Sequence, residues 1–163
     1  MTPKISCIAS GAELDLHRKY RYALWRIWDR SKPWVLFIGL NPSTADERCN
    51  DRTLDKCIHY ASVWGYGGVY MANLFAYRAT DPDKMKKCRS PIGPENDEWL
   101  IKLHRDAGMV VAAWGNDGAF KNRAEKVCSF LGDMHCIKIN HTGEPAHPLY
   151  QLKSAKPQRY IRA

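Results

Sequence analysis

Residues 34–46 decide the fold of this chain, and they read WVLFIGLNPSTAD. The apolar run at 34–38, with Pro33 before it and Gly39 after it, is typical of a strand buried on both faces of a sheet. The polar stretch at 39–46 follows at the carboxyl end of that strand, where open α/β sheets bind their ligands. Its Asn, Ser, Thr and Asp residues also favour turns and helix caps, so a turn alone stays open as an explanation. The stretch is therefore the first part of a candidate site.

Hydrophobic patterning along the rest of the chain predicts alternating strands and helices. Such alternation gives parallel strands joined by right-handed crossovers. The predicted fold class is therefore α/β, a three-layer α/β/α sandwich with a central four-stranded parallel sheet, in a single domain over residues 1–163. The strands are predicted at 34–40, 69–74, 109–114 and 134–139, and the helices at 51–64, from 93 onward, and around 120–131.

The flanking segments add three expectations. Alternation across 20–24 predicts an N-terminal antiparallel strand or hairpin, with its basic residues on the outer face. Residues 75–93 are predicted as a long functional loop, and the C-terminus as a basic tail. The basic residues of the loop suit phosphate contacts or a solvated face, and they are Lys84, Lys86, Lys87 and Arg89.

Composition narrows the class of protein and its partners. The net charge of +8 favours a polyanionic partner such as nucleic acid. Neither a long apolar segment nor a secretory signal is visible, so we expect a cytoplasmic protein with no membrane partner. The six cysteines form no C-x-x-C motif and are expected to be reduced thiols, several of them in the core. The nearest approach to a zinc set has no standard zinc spacing and consists of Cys128, His135, Cys136 and His141, so no metal is predicted.

Polar residues follow four of the predicted strands. Because the carboxyl ends of parallel strands lie along one edge of a sheet, these residues are expected to converge. Turns that only connect strands to helices do not all need such residues. Their presence after all four strands therefore indicates a site more strongly than any one stretch does. The four stretches are 41–46, 73–82, 114–118 and 141–148.

Short motifs along most of the chain match a known family. On these motifs the chain resembles the bacterial and phage family known as domain of unknown function 1643, whose name implies little about activity. The matching stretches are YRY at 20–22, LNPSTAD at 40–46, WGY at 64–66, NLFA at 73–76, RATDP at 78–82, AWG at 113–115 and HPLY at 147–150.

A more remote resemblance is to the uracil-DNA glycosylase superfamily. GLNP at 39–42 looks like the first motif of the mismatch-specific enzymes, and VYMAN at 69–73 with Arg78 resembles a strand and basic loop of the thermophile-type enzymes. AWG at 113–115 is similar in placement to their third strand, and His147 with Pro148 to their late His-Pro motif. The resemblance implies the fold of that superfamily.

Two features of the chain depart from those enzymes. The cysteines lack the four-cysteine pattern of the thermophile-type iron–sulfur cluster, so no cluster and no other cofactor is expected. Leu149 stands where the glycosylases usually carry a small residue. Duplex DNA, single-stranded nucleic acid and a free nucleotide therefore all stay open as substrates.

The resemblance implies hydrolysis of an N-glycosidic bond to a base, modified or unmodified, in nucleic acid or a nucleotide. It assigns Asn41 to positioning the attacking water, Asn73 to reading the base edge, and His147 to stabilising negative charge on the leaving base. Asp46 or Asp51 is the candidate carboxylate beside the water. The expected substrate-binding residues are Ser43, Thr44, Asn73, Phe75, Tyr77 and Arg78.

Two other functions fit the same residues. The first is a non-catalytic module that binds nucleic acid or a nucleotide on the same fold. The second is a small-molecule hydrolase or transferase that shares only the sheet.

Overall fold

The apolar run after Pro33 forms the central strand of a seven-stranded sheet in the computed structural model, which describes residues 5–162. Residues 35–38 of this strand are fully buried, because both faces of the sheet are covered there. The described strands are β1 (Ala9–Leu14), β2 (Arg21–Ile27), β3 (Trp34–Gly39), β4 (Gly68–Asn73), β5 (Met109–Ala112), β6 (Met134–Cys136) and β7 (Gln158–Tyr160). The described α-helices are α1 (Arg52–Val63), α2 (Pro82–Lys87), α3 (Asn96–Asp106) and α4 (Arg123–Phe130), with short 3-10 segments at Asn116–Asn122 and Pro148–Tyr150.

The sheet has the strand order β1-β2-β4-β3-β5-β6-β7 and is mixed. Strand β3 pairs in parallel with both β4 and β5, and β5 pairs in parallel with β6. The β1–β2 hairpin joins one edge through an antiparallel pairing of β2 with β4, and β7 joins the other through an antiparallel pairing with β6. The predicted α/β class and the N-terminal hairpin are confirmed.

Helices lie on both faces of this sheet. Helix α1 follows β3 and packs one face through Leu54, Cys57 and Ala61, which contact Val35 and Phe37 in the same core cluster. The other face is packed by α2, α3 and α4, which contribute Met85, Leu100, Leu103, Ala124 and Val127 to a second cluster. The connections on either side of β3 thus run on opposite faces, which makes the β3–β5 boundary a topological switch point.

Two segments differ from the sequence-based expectation. The predicted loop at 75–93 contains α2, whose N-terminus is capped by Asp81 and begins at Pro82. Only Met85 of this six-residue helix is buried, so its sequence shows no helical periodicity. The predicted basic tail contains β7, whose three residues include one buried side chain, Tyr160. No helix in the described range 5–162 is long and apolar enough to cross a bilayer.

The segment 151–155 lies along the outer side of α1 and is held there by side chains of that helix. Lys56 Nζ donates to the carbonyl of Gln151 at 2.5 Å. Tyr60 donates its hydroxyl to the carbonyl of Leu152 at 2.6 Å. Trp64, which ends the helix, donates its indole N–H to the carbonyl of Ala155 at 3.1 Å. We call this segment the α1 strap.

The carboxyl end of β4 is completed by a buried side chain from α3. Asn96 is fully buried, and its Nδ2 donates to the carbonyls of Asn73 at 2.9 Å and Leu74 at 3.0 Å. Buried carbonyls need a hydrogen-bond donor from the protein, and the Asn96 amide supplies one to each of them. Asn96 thereby fixes the backbone at which the candidate residue Asn73 stands.

We therefore expect Asn96→Ala to lower the free energy of unfolding by about 1–3 kcal/mol, because the buried carbonyls of Asn73 and Leu74 lose the Asn96 amide and only that of Leu74 keeps a second side-chain donor, Arg123. Urea unfolding followed by circular dichroism measures the change. The control Asn140→Ala removes an amide that bonds Asn116 in an exposed setting, and its effect should stay within about 0.5 kcal/mol of wild type. Equal effects of the two substitutions would contradict this role for Asn96.

Candidate functional site

The ends of β3, β4 and β5 and the loop after β6 line one cavity of about 620 Å³. This volume is in the range of pockets that bind small molecules. The cavity lies at the switch point described above, so the expected convergence of the four polar stretches is seen in the structure. Its polar lining includes Arg21, Asn41, Ser43, Asp51, Asn73 and His147, and its apolar lining includes Leu24, Leu54, Met71 and Ala113.

Five of the residues predicted for the site line this cavity and five do not. The five that line it are Asn41, Ser43, Asp51, Asn73 and His147. The other five lie outside the lining and are Thr44, Asp46, Phe75, Tyr77 and Arg78.

The two predicted aromatic residues pack within the protein. Phe75 is fully buried, and its ring centroid lies 5.6 Å from that of Phe120. Tyr77 packs edge-on against Tyr20 at 6.0 Å. Neither ring therefore faces the cavity in a position to stack on a ligand bound there.

Thr44, Asp46 and Arg78 lie outside the cavity lining. Thr44 is exposed, and Arg78 directs its Nη1 to the carbonyl of Arg18 at 3.4 Å. Asp46 accepts the backbone N–H groups of Arg48 and Cys49 at 2.9 and 2.8 Å, which lowers the pKa of its carboxyl. Asp46 thus closes a turn in the loop, and of the two predicted carboxylates only Asp51 lines the cavity.

Asn41 is held by its amide nitrogen. Its Nδ2 donates to the carbonyl of Ala79 at 2.8 Å and to that of Pro42 at 3.1 Å. Two carbonyl partners fix the orientation of the amide, since only the NH₂ group can donate to them. The oxygen Oδ1 accepts no hydrogen bond from the described residues and is the atom that Asn41 has free to accept one from a ligand or a water.

The side chain of Asn73 is buried next to Gly39 of the neighbouring strand. A Cβ built on Gly39 would lie 2.9 Å from Asn73 Nδ2, so glycine is needed for the amide to occupy this space. Its Oδ1 lies 3.4 Å from Nη2 of Arg21, a long contact that directs this oxygen toward the guanidinium. The Nδ2 group has no acceptor among the described residues, so Asn73 is left with a hydrogen-bond donor to offer in the cavity.

His147 lies in the loop after β6, and backbone hydrogen bonds fix this loop. Gly115 donates to the carbonyl of Pro145 at 2.9 Å, and Ala146 donates to that of Lys138 at 2.8 Å. His147 Nδ1 accepts the N–H of Leu149 at 3.2 Å, so the neutral ring carries its proton on Nε2. Burial lowers the pKa of His147, and Asp51 acts in the opposite direction. The residue is therefore a neutral donor at neutral pH.

Asp51 connects the site to α1. Its carboxylate caps the helix by accepting the N–H of Leu54 at 2.8 Å. The same carboxylate lines the cavity and is near enough to act on the pKa of both His147 and Arg21. A negative charge in this position can stabilise a positive charge that develops on a bound substrate.

The buried arginines of β2 correct the expectation that its basic residues face outward. Arg21 and Arg26 are only 4% and 3% exposed. The loop after β3 covers them, and Arg26 donates to the carbonyl of Asp46 at 2.6 Å and to the side chain of Asn50 at 2.9 Å. Alternation in a short segment cannot reveal such a loop, because the covering residues lie twenty or more positions further along the chain.

Arg21 is a site residue that the sequence-based prediction missed. Glu13 pairs with Ala23 and Leu14 with Arg21, so Tyr22 is an extra residue in β2 and forms a β-bulge. Bulges redirect side chains and are frequent beside active sites. Arg21 lines the cavity, whereas the next buried arginine of the strand, Arg26, does not.

Tyr150 at the rim of the cavity was also missed. Its side chain is 81% exposed although it lines the cavity mouth, and its ring centroid lies 5.8 Å from that of His147. A large exposed aromatic residue beside a cavity is a signal that sequence alone does not provide, because exposure depends on the tertiary fold.

The cysteines and histidines do not form a metal centre in the described structure. No group of three or more His, Cys, Asp or Glu side chains in residues 5–162 is arranged to hold an ion. Cys57 and Cys136 are buried, which confirms the expected packing role for some of the thiols, and burial raises the pKa of both.

The lowered pKa of His147 predicts how stability changes with pH. The ordinary histidine pKa is 6.5, and a lower value in the folded state means that the unfolded chain binds more protons below that pH. Stability therefore falls as the pH decreases through the ordinary value toward the folded one. Between about pH 7 and about pH 5, we expect wild type to lose more free energy of unfolding than His147→Asn. Urea unfolding at each pH measures the difference.

The control for this measurement is His141→Asn, an exposed residue of the same loop. This variant should follow the wild-type pH dependence. If His147→Asn also follows the wild-type curve, His147 is not the group that makes the folded protein sensitive to acid.

Comparison with known proteins identifies the family of the chain. A family model described as protein of unknown function (DUF1643) matches residues 21–149, a range that contains every cavity-lining residue except Tyr150. No curated protein matches the chain, and no solved structure matches it either. Because the model matches well over half of its length, the chain belongs to the DUF1643 family of proteins of unknown function.

Proposed function

We propose that the cavity binds a nucleobase and hydrolyses the N-glycosidic bond that joins it to its sugar, in nucleic acid or in a nucleotide. The observation that carries the proposal is His147, which lines the same cavity as Asn41 and Asn73 and whose Nδ1 accepts the Leu149 N–H, so that the neutral ring keeps its proton on Nε2. A fixed neutral donor of this kind suits an oxygen on which negative charge develops.

The bond between C1′ and the base nitrogen breaks with its electron pair going to the base. The base then carries negative charge on its carbonyl oxygen, and His147 donates a hydrogen bond to that oxygen. The Nδ2 group of Asn73 donates to a second acceptor on the base edge. Both donors stand in the folded protein before the substrate arrives, so little reorganisation is needed in the transition state.

Breaking this bond leaves a sugar with oxocarbenium character, which water attacks at C1′. Asn41 accepts a hydrogen bond from the water through Oδ1, the oxygen that its two carbonyl contacts leave free. Asp51 stabilises the cationic sugar and passes the proton lost by the water to solvent, while the departing base gains a proton from solvent. Asn41 acts by orienting the water, because an amide is too weak a base to deprotonate it.

The fold and the charge of the chain support the same proposal. The middle strands β4-β3-β5-β6 pair in parallel around the switch point where the cavity lies, as expected for a fold of the uracil-DNA glycosylase type. Pro82 at the start of α2 lines the cavity, and Lys84, Lys87 and Arg89 in and after this helix are exposed. These lysines and this arginine suit contacts to phosphates that flank a bound nucleotide.

The experiment is a measurement of base release. The protein is incubated with single- and double-stranded DNA containing uracil, hypoxanthine or oxidised and hypermodified pyrimidines, and with free nucleotides, and the liberated base is detected by mass spectrometry. Release from one of these substrates is the expected result. Salt-dependent binding without release would instead favour the non-catalytic binding module.

We expect His147→Asn to lower the rate of base release by about 10²–10³-fold, the usual loss on removing one donor to a developing oxyanion. Asparagine keeps an acceptor where Nδ1 stood and so can still bind the Leu149 N–H, while the Nε2–H donor is lost. His141→Asn is the matched control and should release base at the wild-type rate. Equal rates for His147→Asn and wild type would remove His147 from the mechanism.

Gly39→Ala tests the position of Asn73. The added Cβ would lie 2.9 Å from Asn73 Nδ2 and would displace the amide, so we expect base release to fall by at least about tenfold. Gly132→Ala serves as the control, since its Cβ would meet only His104, at 3.3 Å. A Gly39→Ala protein that is folded and fully active would show that the placement of Asn73 is unimportant.

A further inference from the structure

Three arginines are buried in the described part of the chain, and two of them make several short hydrogen bonds or an ion pair. Arg123 donates its Nε to the carbonyl of Leu74 and forms an ion pair with Asp97 at 2.6 Å. Arg26 donates from all three side-chain nitrogens to oxygen atoms of its own strand and of the loop at 46–50. Both side chains are explained by the structure that they hold together.

Arg21 differs from these two residues. Its Nη1 donates to the carbonyl of Ala45 at 2.9 Å, and its Nη2 has only the long contact of 3.4 Å to Asn73. Its Nε has no partner. A guanidinium carries five N–H groups, so most of the donors of Arg21 are unused. Within residues 5–162, no carboxylate oxygen lies within 4.0 Å of this guanidinium.

The surroundings of Arg21 leave its charge only partly compensated. Asp51 is the acidic group that acts most strongly on Arg21, followed by Asp46. One oxygen of Asp51 already accepts the N–H of Leu54, and Asp46 accepts those of Arg48 and Cys49. The other lining carboxylate, Asp117, forms an ion pair with Lys86 at 3.1 Å. The charges of Arg26 and Arg78 also act on Arg21 and add to the positive potential at this end of the cavity.

A buried charge is costly unless it is paired. The bulge at Tyr22 nevertheless directs Arg21 to the cavity, beside the base-reading amide of Asn73. A guanidinium with free donors in a desolvated position binds planar or tetrahedral oxyanions by charge-assisted hydrogen bonds. The complementary group can therefore come from the ligand.

We infer that Arg21 binds an oxyanion of the ligand, so that the cavity takes a nucleoside or base carrying a carboxylate or phosphate at the end that meets Asn73. The nucleoside identity of this ligand rests on the function proposed above, whereas the oxyanion rests on Arg21 alone. The group has two chemical sources, a carboxylate on the base or a phosphate on the sugar, and the choice of probes distinguishes them.

The test is isothermal titration calorimetry of wild type with uridine, uridine 5′-monophosphate and 5-carboxyuridine. At least one charged probe should bind about tenfold or more tightly than uridine, because a charge-assisted pair is added to the same base. Preference for the monophosphate places the oxyanion on the sugar, and preference for 5-carboxyuridine places it on the base. Equal binding of all three probes, or no measurable binding of either charged probe, would overturn the inference.

Variants test whether the preference belongs to Arg21. Arg21→Met keeps an unbranched apolar side chain over the arginine stem and removes the guanidinium, so it should abolish the advantage of the charged probe. Arg21→Lys keeps the positive charge but loses the planar set of N–H donors, so it should reduce the tighter binding of the charged probe. This variant replaces Arg21→Met in the test if the methionine variant does not fold. The control Arg48→Met removes an exposed charge from the loop after β3 and should keep the full advantage. An advantage that survives in Arg21→Met contradicts the assignment.

Binding and base release separate this inference from the proposed function. A charged-probe preference without release from any substrate keeps the oxyanion site and contradicts the glycosidic hydrolysis. Base release from a substrate that carries the oxyanion, at the same rate in wild type and Arg21→Met, keeps the glycosidic hydrolysis and contradicts the oxyanion site.

Discussion

Complete burial of residues 35–38 in β3 is the constraint on which the rest of this structure depends. This strand is covered on both faces and paired on both edges. The polar residues that follow it can therefore lie only beyond its carboxyl end. Helix α1 follows β3 on one face of the sheet, and α2 to α4 pack on the other face. The ends of the neighbouring strands are therefore left with a gap between them. The cavity is thus a result of topology before any particular side chain is considered.

The loop between β3 and α1 converts this gap into a site with fixed polar groups. Arg21 and Arg26 of β2 donate hydrogen bonds to carbonyl groups of this loop. Within the loop, Asn41 donates to the carbonyl of Ala79, in the segment after β4. Asp51 then ends the loop as the cap of α1. The backbone N–H of Ala79 also donates to the carbonyl of Pro42, so the loop after β3 is tied to its neighbours by backbone and side chains together. The polar residues of the site are fixed by the same contacts that hold the domain together.

Sequence reasoning found the parts of this arrangement that depend on local pattern. The buried run at 34–38, the helix with apolar residues at 54, 57, 58 and 61, and the polar strand ends were all readable from spacing, and five of the predicted residues line the cavity. Contributions that depend on tertiary contacts were not readable. Phe75 lies in the core because Phe120 meets it from a distant segment, and Arg21 turns to the cavity because of one unpaired residue in a hairpin. The short elements α2 and β7 were missed because each has a single buried residue and hence no period.

The α1 strap has a consequence for how the protein is made. The cavity wall draws on residues from Arg21 to Tyr150, and the strap that follows satisfies donors of Lys56, Tyr60 and Trp64. During synthesis, the hairpin, the central strands and α1 leave the ribosome long before His147 does. A nascent chain therefore carries an open groove in place of the cavity until the segment with His147 has emerged and the strap behind it has bound α1.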